Sequence, residues 1–413
     1  MGASPHVRRV VVTGTGAVSA LGLGAEALWS AMREGRSGIA ALPSPDPLST
    51  LKMRLAATLP GFAPDATQTG GIAPGQLDRM TQMALVAAQE AIAQSGLLPR
   101  DDATLGARCA VVVGTGVGAE LSRDEQSRRL YRDQAERLHP LTIVRSMNNA
   151  AASQISIAFG LRGPAFAVSS ACASANHAFA QAALMVRHGL ADVAIAGGSE
   201  ACLSLPLIRA WEAMRVVSDD TCRPFCAQRS GLVLGEGAGM FVLESAEHAA
   251  ARGALPLAEL AGFGMSSDAG DIVAPSIDGA ATAMRLALQD AGLAPEQIDY
   301  INAHGTGTQA NDRCETKALR QVFGAHAEAL AVSSTKAVHG HALGAAGALE
   351  LVAAIGALRE QVVPPTANFL DADPECDLDY VPNRARARHV QAVLSNSFAF
   401  GGLNAVIALR AAG

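Results

Sequence analysis

The chain has 413 residues, of which 49% are hydrophobic, 17% charged and 4% aromatic, with 41 glycines and a formal net charge of −6. This composition excludes intrinsic disorder, and no Gly-X-Y triplet or sustained heptad supports a collagen or a coiled coil. The negative charge argues against nucleic-acid binding, which usually needs a basic face.

The length exceeds that of a typical single core, so we expect two domains or one duplicated architecture. No apolar run approaches the roughly 18 residues of a membrane span, and the start lacks the apolar stretch of a signal peptide. Among seven scattered cysteines, Cys222 and Cys226 come nearest to a pair, but no second pair or Cys/His quartet completes a zinc site. We therefore predict a reduced, cytoplasmic protein without membrane contact.

Short apolar strands alternate with alanine-rich helices along the whole chain. The predicted strands are Arg9–Thr13, Cys109–Val113, Phe166–Ser169, Val193–Ala196, Met240–Glu244, Leu257–Gly262, Tyr300–Ala303, Ala331–Ser333, Ala392–Ser395 and Asn404–Leu409. The predicted helices are Ala25–Glu34, Asp78–Ser95, Asn176–His188, Gly279–Ala291, Cys314–Phe323 and Gly344–Glu360. Several strands are continuous apolar runs, which is typical of sheets covered on both faces. The pattern predicts a layered α/β fold.

Similar glycine-rich segments recur in the two halves of the chain. One pair of segments lies at the ends of predicted strands, namely Val113–Gly116 and His304–Thr308. A second pair comes just before later hydrophobic strands, namely Glu236–Gly239 and Phe400–Gly402. We predict an internal duplication, with one half at residues 1–252 and the other at residues 253–413.

An early glycine cluster, Thr13–Gly22, invites a dinucleotide-binding interpretation. The third glycine of that motif would fall at Ser19, and no acidic residue follows a second strand at a remove of about 20 residues. We predict a structural turn here.

Cys172 lies between an apolar strand and a helix, within Val168–Ala175. A helix N-terminus presents free N–H groups and partial positive charge, which favour a thiolate. A small buried core cysteine is the common alternative, and the segment alone gives the two interpretations about equal weight. The small neighbouring residues favour the nucleophile, because they leave room for a substrate.

Two later segments carry histidines. Ile298–Thr308 is an apolar strand that ends at His304 in a glycine-threonine turn, where a histidine that merely bonds the turn is the stronger interpretation of that segment alone. The segment around Lys336 contains His339 and His341, of which only one needs to be functional, and we expect His339 to be exposed to solvent.

Paired glycines stand beside aromatic residues in Leu394–Asn404, just before the last predicted strand. They predict a tight loop whose N–H groups can face a ligand. The alternative is a chain-reversing turn capped by aromatic packing.

Taken in order, Cys172, His304-Gly-Thr, Lys336…His341 and Phe398-Ala-Phe-Gly-Gly resemble the β-ketoacyl-acyl carrier protein synthases. The likeness extends over residues 9–409, is closest to the type II elongating synthases and includes their nodulation-factor relatives. Supporting segments are Gly160–Pro164, Ala196–Glu200, Arg223–Phe225, Gly235–Gly239 and Gly264–Asp268. The resemblance implies a thiolase-type α/β fold of five α-β-α-β-α layers made from two duplicated halves.

The same resemblance assigns the catalytic roles. Cys172 would be the acyl-accepting nucleophile, and His304 and His341 the paired histidines, because the second histidine of the family lies five positions after its lysine. Lys336 would organise the site electrostatically, with Glu350 as its charge partner. His339 is set aside, since relatives more often have a small polar residue there.

The resemblance also implies roles for residues that lie in less specific motifs. The backbone N–H groups of Cys172 and Phe400 would form the oxyanion hole, with Phe398, Phe400 and Gly401 in the gate. The expected substrate-binding residues are Thr306, Thr308, Val117, Trp211 and Asp268. A structural monovalent cation is expected in some relatives at positions that match Asn302, Glu350, Ser395 and Asn396.

The implied reaction is a decarboxylative Claisen condensation of a Cys-bound acyl chain with malonyl-acyl carrier protein, giving 3-oxoacyl-acyl carrier protein. It needs no cofactor and would serve fatty acid synthesis or a specialised polyene or polyketide-type pathway. A coenzyme A-dependent, thiolase-like acyltransferase is one alternative, which the His341 pattern disfavours. A ketosynthase subunit that works only with a related chain-length partner is another.

Departures from the family pattern bear on the substrate. Ala399 and Leu403 alter the gate segment, Gly307 replaces a serine, and Gly270 and Asp271 replace bulkier residues of a second gating loop. We take these changes as a sign of an unusual acyl chain.

The implied partners are the acyl- and malonyl-loaded carrier protein and a second subunit, either identical in a homodimer or related in a heterodimer. An acidic carrier protein needs a local basic patch despite the net negative charge. Arg79, Arg137 and Arg215 are the candidates, together with the other arginines of residues 123–137. A solvated, salt-bridged helix is the alternative for that stretch, because acidic residues interleave it.

Overall fold

The computed structural model describes residues 7–42, 51–99 and 101–412. Residues 1–6, which bear on the expected lack of a signal peptide, lie outside the described residues. The strands are β1 Val10–Ser19, β2 Gly22–Leu23, β3 Ile39–Ala41, β4 Leu55–Ala57, β5 Cys109–Gly114, β6 Ala165–Val168, β7 Val193–Glu200, β8 Gly237–Ser245, β9 Ala258–Ser267, β10 Tyr300–Asn302, β11 Ala331–Ser333, β12 Val362–Val363, β13 Arg386–Ala387, β14 Ala392–Ala399 and β15 Leu403–Arg410.

The α-helices are α1 Ala25–Glu34, α2 Arg79–Ser95, α3 Ala103–Ala107, α4 Glu120–Tyr131, α5 Thr142–Ser146, α6 Ala150–Phe159, α7 Ser174–Arg187, α8 Leu205–Met214, α9 Ala246–Ala251, α10 Ile277–Ala291, α11 Gln309–Phe323, α12 Lys336–His339 and α13 Ala346–Glu360. Short 3₁₀ turns occupy Pro74–Gln76, Pro295–Gln297, Gly324–Ala329 and Leu343–Ala345. Every predicted strand and helix is present, with ends that differ by a few residues. The fold is the predicted α/β class.

The two halves of the sheet have the same topology. In the order of hydrogen bonding, the first half runs β1-β8-β7-β5-β6 and the second β9-β15-β14-β10-β11. In each half the first two strand pairings are antiparallel and the last two are parallel. A short antiparallel pairing of Val10–Val12 with Ala258–Leu260 joins the halves. The boundary between residues 252 and 253 stays a prediction.

Five layers result from this arrangement. Helices α7 and α13 pack against each other between the sheets and share one apolar cluster with residues from both. Helices α2 and α6 cover the outer face of the first half-sheet, and α10 and α11 cover that of the second. The strands are therefore buried on both faces, which explains their continuous apolar sequences.

The prediction of a turn at Thr13–Gly22 is correct only for Ala20–Leu21, which connect β1 to β2, because β1 runs through the rest of the segment to Ser19. Its glycines serve close packing instead. A Cβ at Gly14 or Gly16 would lie 2.1 or 2.0 Å from a carbonyl oxygen of α2. Gly262 and Gly264 of β9 approach the backbone of α10 in the same way, at 2.4 and 2.0 Å. The duplicated glycine pairs therefore let each outer helix pack directly on the first strand of its half.

Candidate active site

Cys172 lies in the turn that connects β6 to α7, where Ala171 has a left-handed φ of +49°. The side chain is buried among apolar residues from both halves. Burial raises the pKa of the thiol to about 12, although Lys336 and the backbone N–H groups of Phe400 and Cys172 oppose this shift. Cys172 is thus a neutral thiol at rest, with both expected oxyanion donors directed at its sulfur.

His341 reaches this thiol from the second half of the chain. It follows α12 and pairs with a loop of the first half, through His341 N–H to Val233 O at 2.7 Å and Gly235 N–H to His341 O at 2.9 Å. Its Nε2 lies 3.1 Å from Cys172 Sγ. Burial, and then the Lys336 charge, hold the pKa of His341 well below its usual value, so the imidazole is neutral.

His304 follows β10 and faces the same space. Its ring centroid lies 5.5 Å from that of His341, with the two rings almost perpendicular. Lys336 Nζ lies 3.3 Å from His304 Nδ1 and donates to His304 O at 2.6 Å. Because an ammonium can only donate, Nδ1 accepts and the proton of neutral His304 is on Nε2. Burial and Lys336 lower the pKa of His304.

Lys336 is fully buried and donates to Glu350 of α13, which is also buried. The expected charge pair is therefore present. Burial raises the pKa of Glu350, and the Lys336 ammonium opposes that shift. The pair places one positive charge beside His304 without leaving it unbalanced in the core.

Glu315, which sequence reasoning missed, fixes the turn that carries His304. Its carboxylate accepts from the N–H groups of His304 and Gly305 at 2.9 and 2.8 Å, and from Asn396 Nδ2 at 3.1 Å. Burial raises its pKa to about 7. A signal did exist, because Glu315 is three positions before Ala318 and four before Leu319, on the buried face of α11.

A pocket with an empty volume of about 680 Å³ opens onto Cys172, His304 and His341. The expected substrate residues Thr306, Thr308 and Asp268 line it, together with Phe398 and Phe400. Trp211 and Val117 are instead at the edge of the apolar cluster that surrounds Cys172, and Trp211 stacks on Phe400 with ring centroids 6.0 Å apart.

The gate segment is bonded to the loop that follows β9. Gly401 N–H donates to Ile272 O and Asp268 N–H donates to Gly402 O, both at 2.8 Å. Asn404 Nδ2 adds a bond to the Asp268 carboxylate at 2.7 Å. The N–H of Gly401 is thus engaged by the loop, so that of Phe400 is the gate donor directed at Cys172.

The expected cation site contains polar atoms that no described residue satisfies. Asn302 Oδ1, Glu350 Oε2 and Ser395 Oγ are buried without a hydrogen-bond partner in the described part of the chain. Asn302 and Ser395 are paired across neighbouring strands. Asn396, the next residue on β14, donates its Nδ2 to Glu315 and Met284, and its Oδ1 is also buried without a partner among the described residues.

Two expectations about single residues need correction. His339 is fully buried, not exposed, with Nε2 3.0 Å from Thr335 Oγ1, because α12 is enclosed by both halves. Arg79 is not available as a carrier contact, since its guanidinium binds Glu236 at 2.7 Å and the carbonyls of Leu59 and Phe62.

The other predicted carrier contacts are at the surface. Arg215 is exposed at the end of α8, next to Val216 of the pocket, and Arg137 is exposed beyond α4. On α4 itself, Arg123 pairs with Glu120 and Arg128 with Asp124. The salt-bridged helix is therefore the better description of α4.

Comparisons with known proteins identify the family of the chain. Residues 7–249 match the N-terminal domain of the beta-ketoacyl synthases and residues 257–370 match their C-terminal domain. The chain therefore belongs to the β-ketoacyl synthase family. None of the described helices is long and apolar enough to cross a membrane.

Individual relatives are similar over nearly their whole length. Nodulation protein E of Rhizobium sp. (strain N33) is 50% identical over 406 residues, covering 98% of this chain and 99% of the relative. 3-oxoacyl-[acyl-carrier-protein] synthase 2 of Coxiella burnetii (strain RSA 493 / Nine Mile phase I) is 40% identical over 411 residues, covering 97% and 98%. The solved structure of the ishigamide ketosynthase/chain length factor superposes with a TM-score of 0.93 at 36% identity, covering 98% of this chain and 100% of that one.

Proposed function

We propose that this chain catalyses decarboxylative condensation of an acyl group held on Cys172 with malonyl-acyl carrier protein. The observation that carries the proposal is the convergence of Cys172, His341 and His304 on one pocket, with a His341 Nε2 to Cys172 Sγ distance of 3.1 Å. The product is 3-oxoacyl-acyl carrier protein, and the reaction serves fatty acid or specialised acyl-chain synthesis.

In the first step Cys172 Sγ attacks the carbonyl carbon of the acyl thioester. The thiol proton passes to His341 Nε2 and then to the departing thiol of the carrier protein. The oxyanion accepts hydrogen bonds from the N–H groups of Cys172 and Phe400, which already face the sulfur. One preorganised donor of this kind is worth about 3–4 kcal/mol in the transition state.

In the second step the malonyl thioester loses carbon dioxide, and its oxygen becomes an enolate. His304 donates its Nε2 proton to this oxygen, because Lys336 holds Nδ1 as an acceptor. His341 Nδ1 has no partner among the described residues, so His341 can adopt the tautomer that donates from Nε2. The enolate carbon attacks the Cys172 thioester, and the thiolate leaves and takes up a proton.

Asn302, Glu350, Ser395 and Asn396 would hold a monovalent cation, since each offers an unsatisfied buried oxygen. Hard oxygen donors suit such an ion. When bound, it would supply only fixed positive charge that stabilises the buried Glu350 carboxylate.

The acyl chain is expected to occupy the apolar cluster beside Trp211 and Val117. Burial of each methylene is worth roughly 0.8 kcal/mol, so these walls set chain length. The departures at Ala399, Leu403 and Asp271 support an unusual chain, such as a polyunsaturated one. Acylation rates across saturated and conjugated acyl-carrier proteins test this, and preference for ordinary long saturated chains would contradict it.

The carrier protein would dock near Arg215 and Arg137, which are exposed. Reversal of the charge at Arg215 is expected to raise the KM for the carrier protein, and an unchanged KM would remove this residue from the docking surface. The same reversal at Arg36, which already pairs with Glu34, serves as the control.

A second subunit would pair with β6, the outermost strand of the first half-sheet. Ile143, Val144 and Ile157 on the neighbouring helices are 72%, 52% and 64% exposed. An edge strand beside apolar surface favours association. We propose a cytoplasmic homodimer, with a related chain-length subunit as the alternative partner.

Intact-mass analysis after incubation with acyl-carrier proteins tests the nucleophile. We expect one acyl adduct on the wild-type chain and none on Cys172→Ala. Absence of an adduct with every chain tested would contradict an autonomous synthase. An adduct only after addition of a related subunit would identify the heterodimer.

A further inference from the structure

Glu200, the last residue of β7, has a carboxylate that the steps above do not use. The side chain is fully buried, and its oxygens accept from Gly116 N at 2.6 Å, Val117 N at 3.2 Å, Gly344 N at 3.0 Å and Thr115 Oγ1 at 3.0 Å. Three of these donors are backbone N–H groups, which cannot reverse their role. Only an acceptor with two oxygens satisfies all four.

The four donors come from both halves of the chain. Gly116 and Val117 follow β5 in the first half, and Gly344 lies three residues after His341 in the second. The backbones touch at this point, since a Cβ on Gly344 would lie 2.2 Å from Gly116 N and 2.8 Å from Glu200 Oε2. The carboxylate is therefore a clip between the halves.

Each side of the clip leads directly to a reacting group. On the first side, Ser174 Oγ donates to Thr115 O at 3.2 Å and to Ala171 O at 2.7 Å, which connects the clip to the Cys172 turn. On the second side, only Ala342 and Leu343 separate Gly344 from His341, and Leu343 has a strained, left-handed φ of +42°. The distance from His341 to Cys172 therefore depends on both sides of the clip.

We propose that Glu200 is a positioning residue that aligns Cys172 with His341 for acyl transfer. This inference deepens the proposed function and depends on it. When it is ionised, the carboxylate also opposes ionisation of Cys172 through its negative charge. Loss of the carboxylate is thus expected to misalign the pair while making the thiolate easier to form.

The variant Glu200→Gln tests this with two rates. Its amide keeps one acceptor oxygen and turns an N–H group toward the backbone donors. We expect single-turnover acylation by hexadecanoyl-carrier protein to slow by about 10²-fold, since small displacements at a reacting pair have effects of this size. Alkylation by iodoacetamide, which needs the thiolate but no alignment, is expected to be at least as fast as in the wild type.

The number of alkyl adducts reports whether the variant is folded. All seven cysteines are buried, but among them only Cys172 lines the active-site pocket, so a single adduct on Cys172 marks an intact fold, whereas several mark an unfolded chain. If Glu200→Gln does not fold, Gly344→Ala disturbs the same contact from the other side and is expected to slow acylation likewise.

Glu90→Gln is the matched control, because Glu90 of α2 also accepts two backbone N–H groups, from Ala17 and Ala25, and does not line the active-site pocket. It should leave both rates unchanged. Wild-type acylation rates in Glu200→Gln, or equal slowing in Glu90→Gln, would overturn the inference. Absence of acylation in the wild-type chain would instead contradict the proposed function.

Discussion

At the scale of single residues, the site combines neutral reacting groups with one buried charge pair. Burial keeps Cys172, His304 and His341 uncharged, while Lys336 and Glu350 carry the charge. Neutral histidines can donate a hydrogen bond to a developing enolate without repelling Lys336. This division of roles predicts that Lys336 matters for decarboxylation more than for acyl transfer.

Replacement of Lys336 tests that division. Lys336→Met leaves Glu350 buried and unpaired, which typically costs 3–5 kcal/mol, so the double variant Lys336→Met with Glu350→Gln serves as the stability control. We expect decarboxylation of malonyl-carrier protein to fall by about 10²-fold or more in both variants, with acylation of Cys172 less affected. Recovery of decarboxylation in the double variant would show that Lys336 acts only through stability.

A second prediction at this scale concerns pH. Burial raises the pKa of Glu200 to about 7 from an ordinary value of 4.5, while the nearby thiols of Cys172 and Cys202 have raised pKa values and stay neutral. The folded chain therefore holds an extra proton between about pH 4.5 and 7, and the contribution of Glu200 to the free energy of unfolding falls as pH rises through this window. Denaturation of wild type and Glu200→Gln at several pH values measures the difference. The prediction would be contradicted if the free energy of unfolding of the wild type increased relative to that of Glu200→Gln as the pH rises.

At the scale of elements, helix ends and strand ends place the chemistry. Cys172 lies between β6 and α7, and Lys336 begins α12, which follows β11. Strands β6 and β11 occupy corresponding positions in the two halves. Helix α8 adds Trp211, which stacks on Phe400 of the gate. An aromatic pair of this kind is worth about 0.5–1.5 kcal/mol, enough to bias the gate toward one position.

Trp211→Ala is expected to free Phe400 and enlarge the apolar cluster. The physical reason is loss of both the stacked ring and its volume. We expect the preferred acyl chain to become longer or bulkier, measured as the ratio of acylation kcat/KM for long and short acyl-carrier proteins. Trp29→Phe, in α1 and away from the gate, is the control, and an unchanged ratio in Trp211→Ala would exclude Trp211 from chain selection.

At the scale of the whole molecule, the site requires both halves. Cys172 comes from the first, and His304, Lys336 and His341 from the second, while α7 and α13 share the inner layer. The order of the four motifs, rather than any one of them, carries the family resemblance that predicted this architecture. The structure brings the four residues together, and their catalytic roles stay a prediction. Recurring glycine-rich segments also indicated an internal duplication. The matching glycine pairs of β1 and β9, however, are recognised only from their contacts with the outer helices.

Other features depend on contacts that a sequence does not display. Glu200 accepts from the N–H groups of Gly116 and Gly344, 84 and 144 positions away, and Arg79 binds Glu236, 157 positions away. His339 was misjudged because burial of α12 comes from packing between the halves. In each case tertiary contacts decided the environment.

Shared layers predict that the halves unfold together. We expect one cooperative transition in calorimetry, with calorimetric and van't Hoff enthalpies in agreement at a fixed subunit concentration. Two separated transitions would show that residues 1–252 and 253–413 behave as independent domains.

The central claim is the decarboxylative condensation, and a single turnover tests it most directly. Acyl-enzyme freed of excess acyl-carrier protein is mixed with malonyl-carrier protein, and carbon dioxide and 3-oxoacyl-carrier protein are measured together. We expect the two products in equal amounts, and neither condensation product nor acyl-enzyme from Cys172→Ala. Transfer or hydrolysis of the acyl group without release of carbon dioxide would contradict the account.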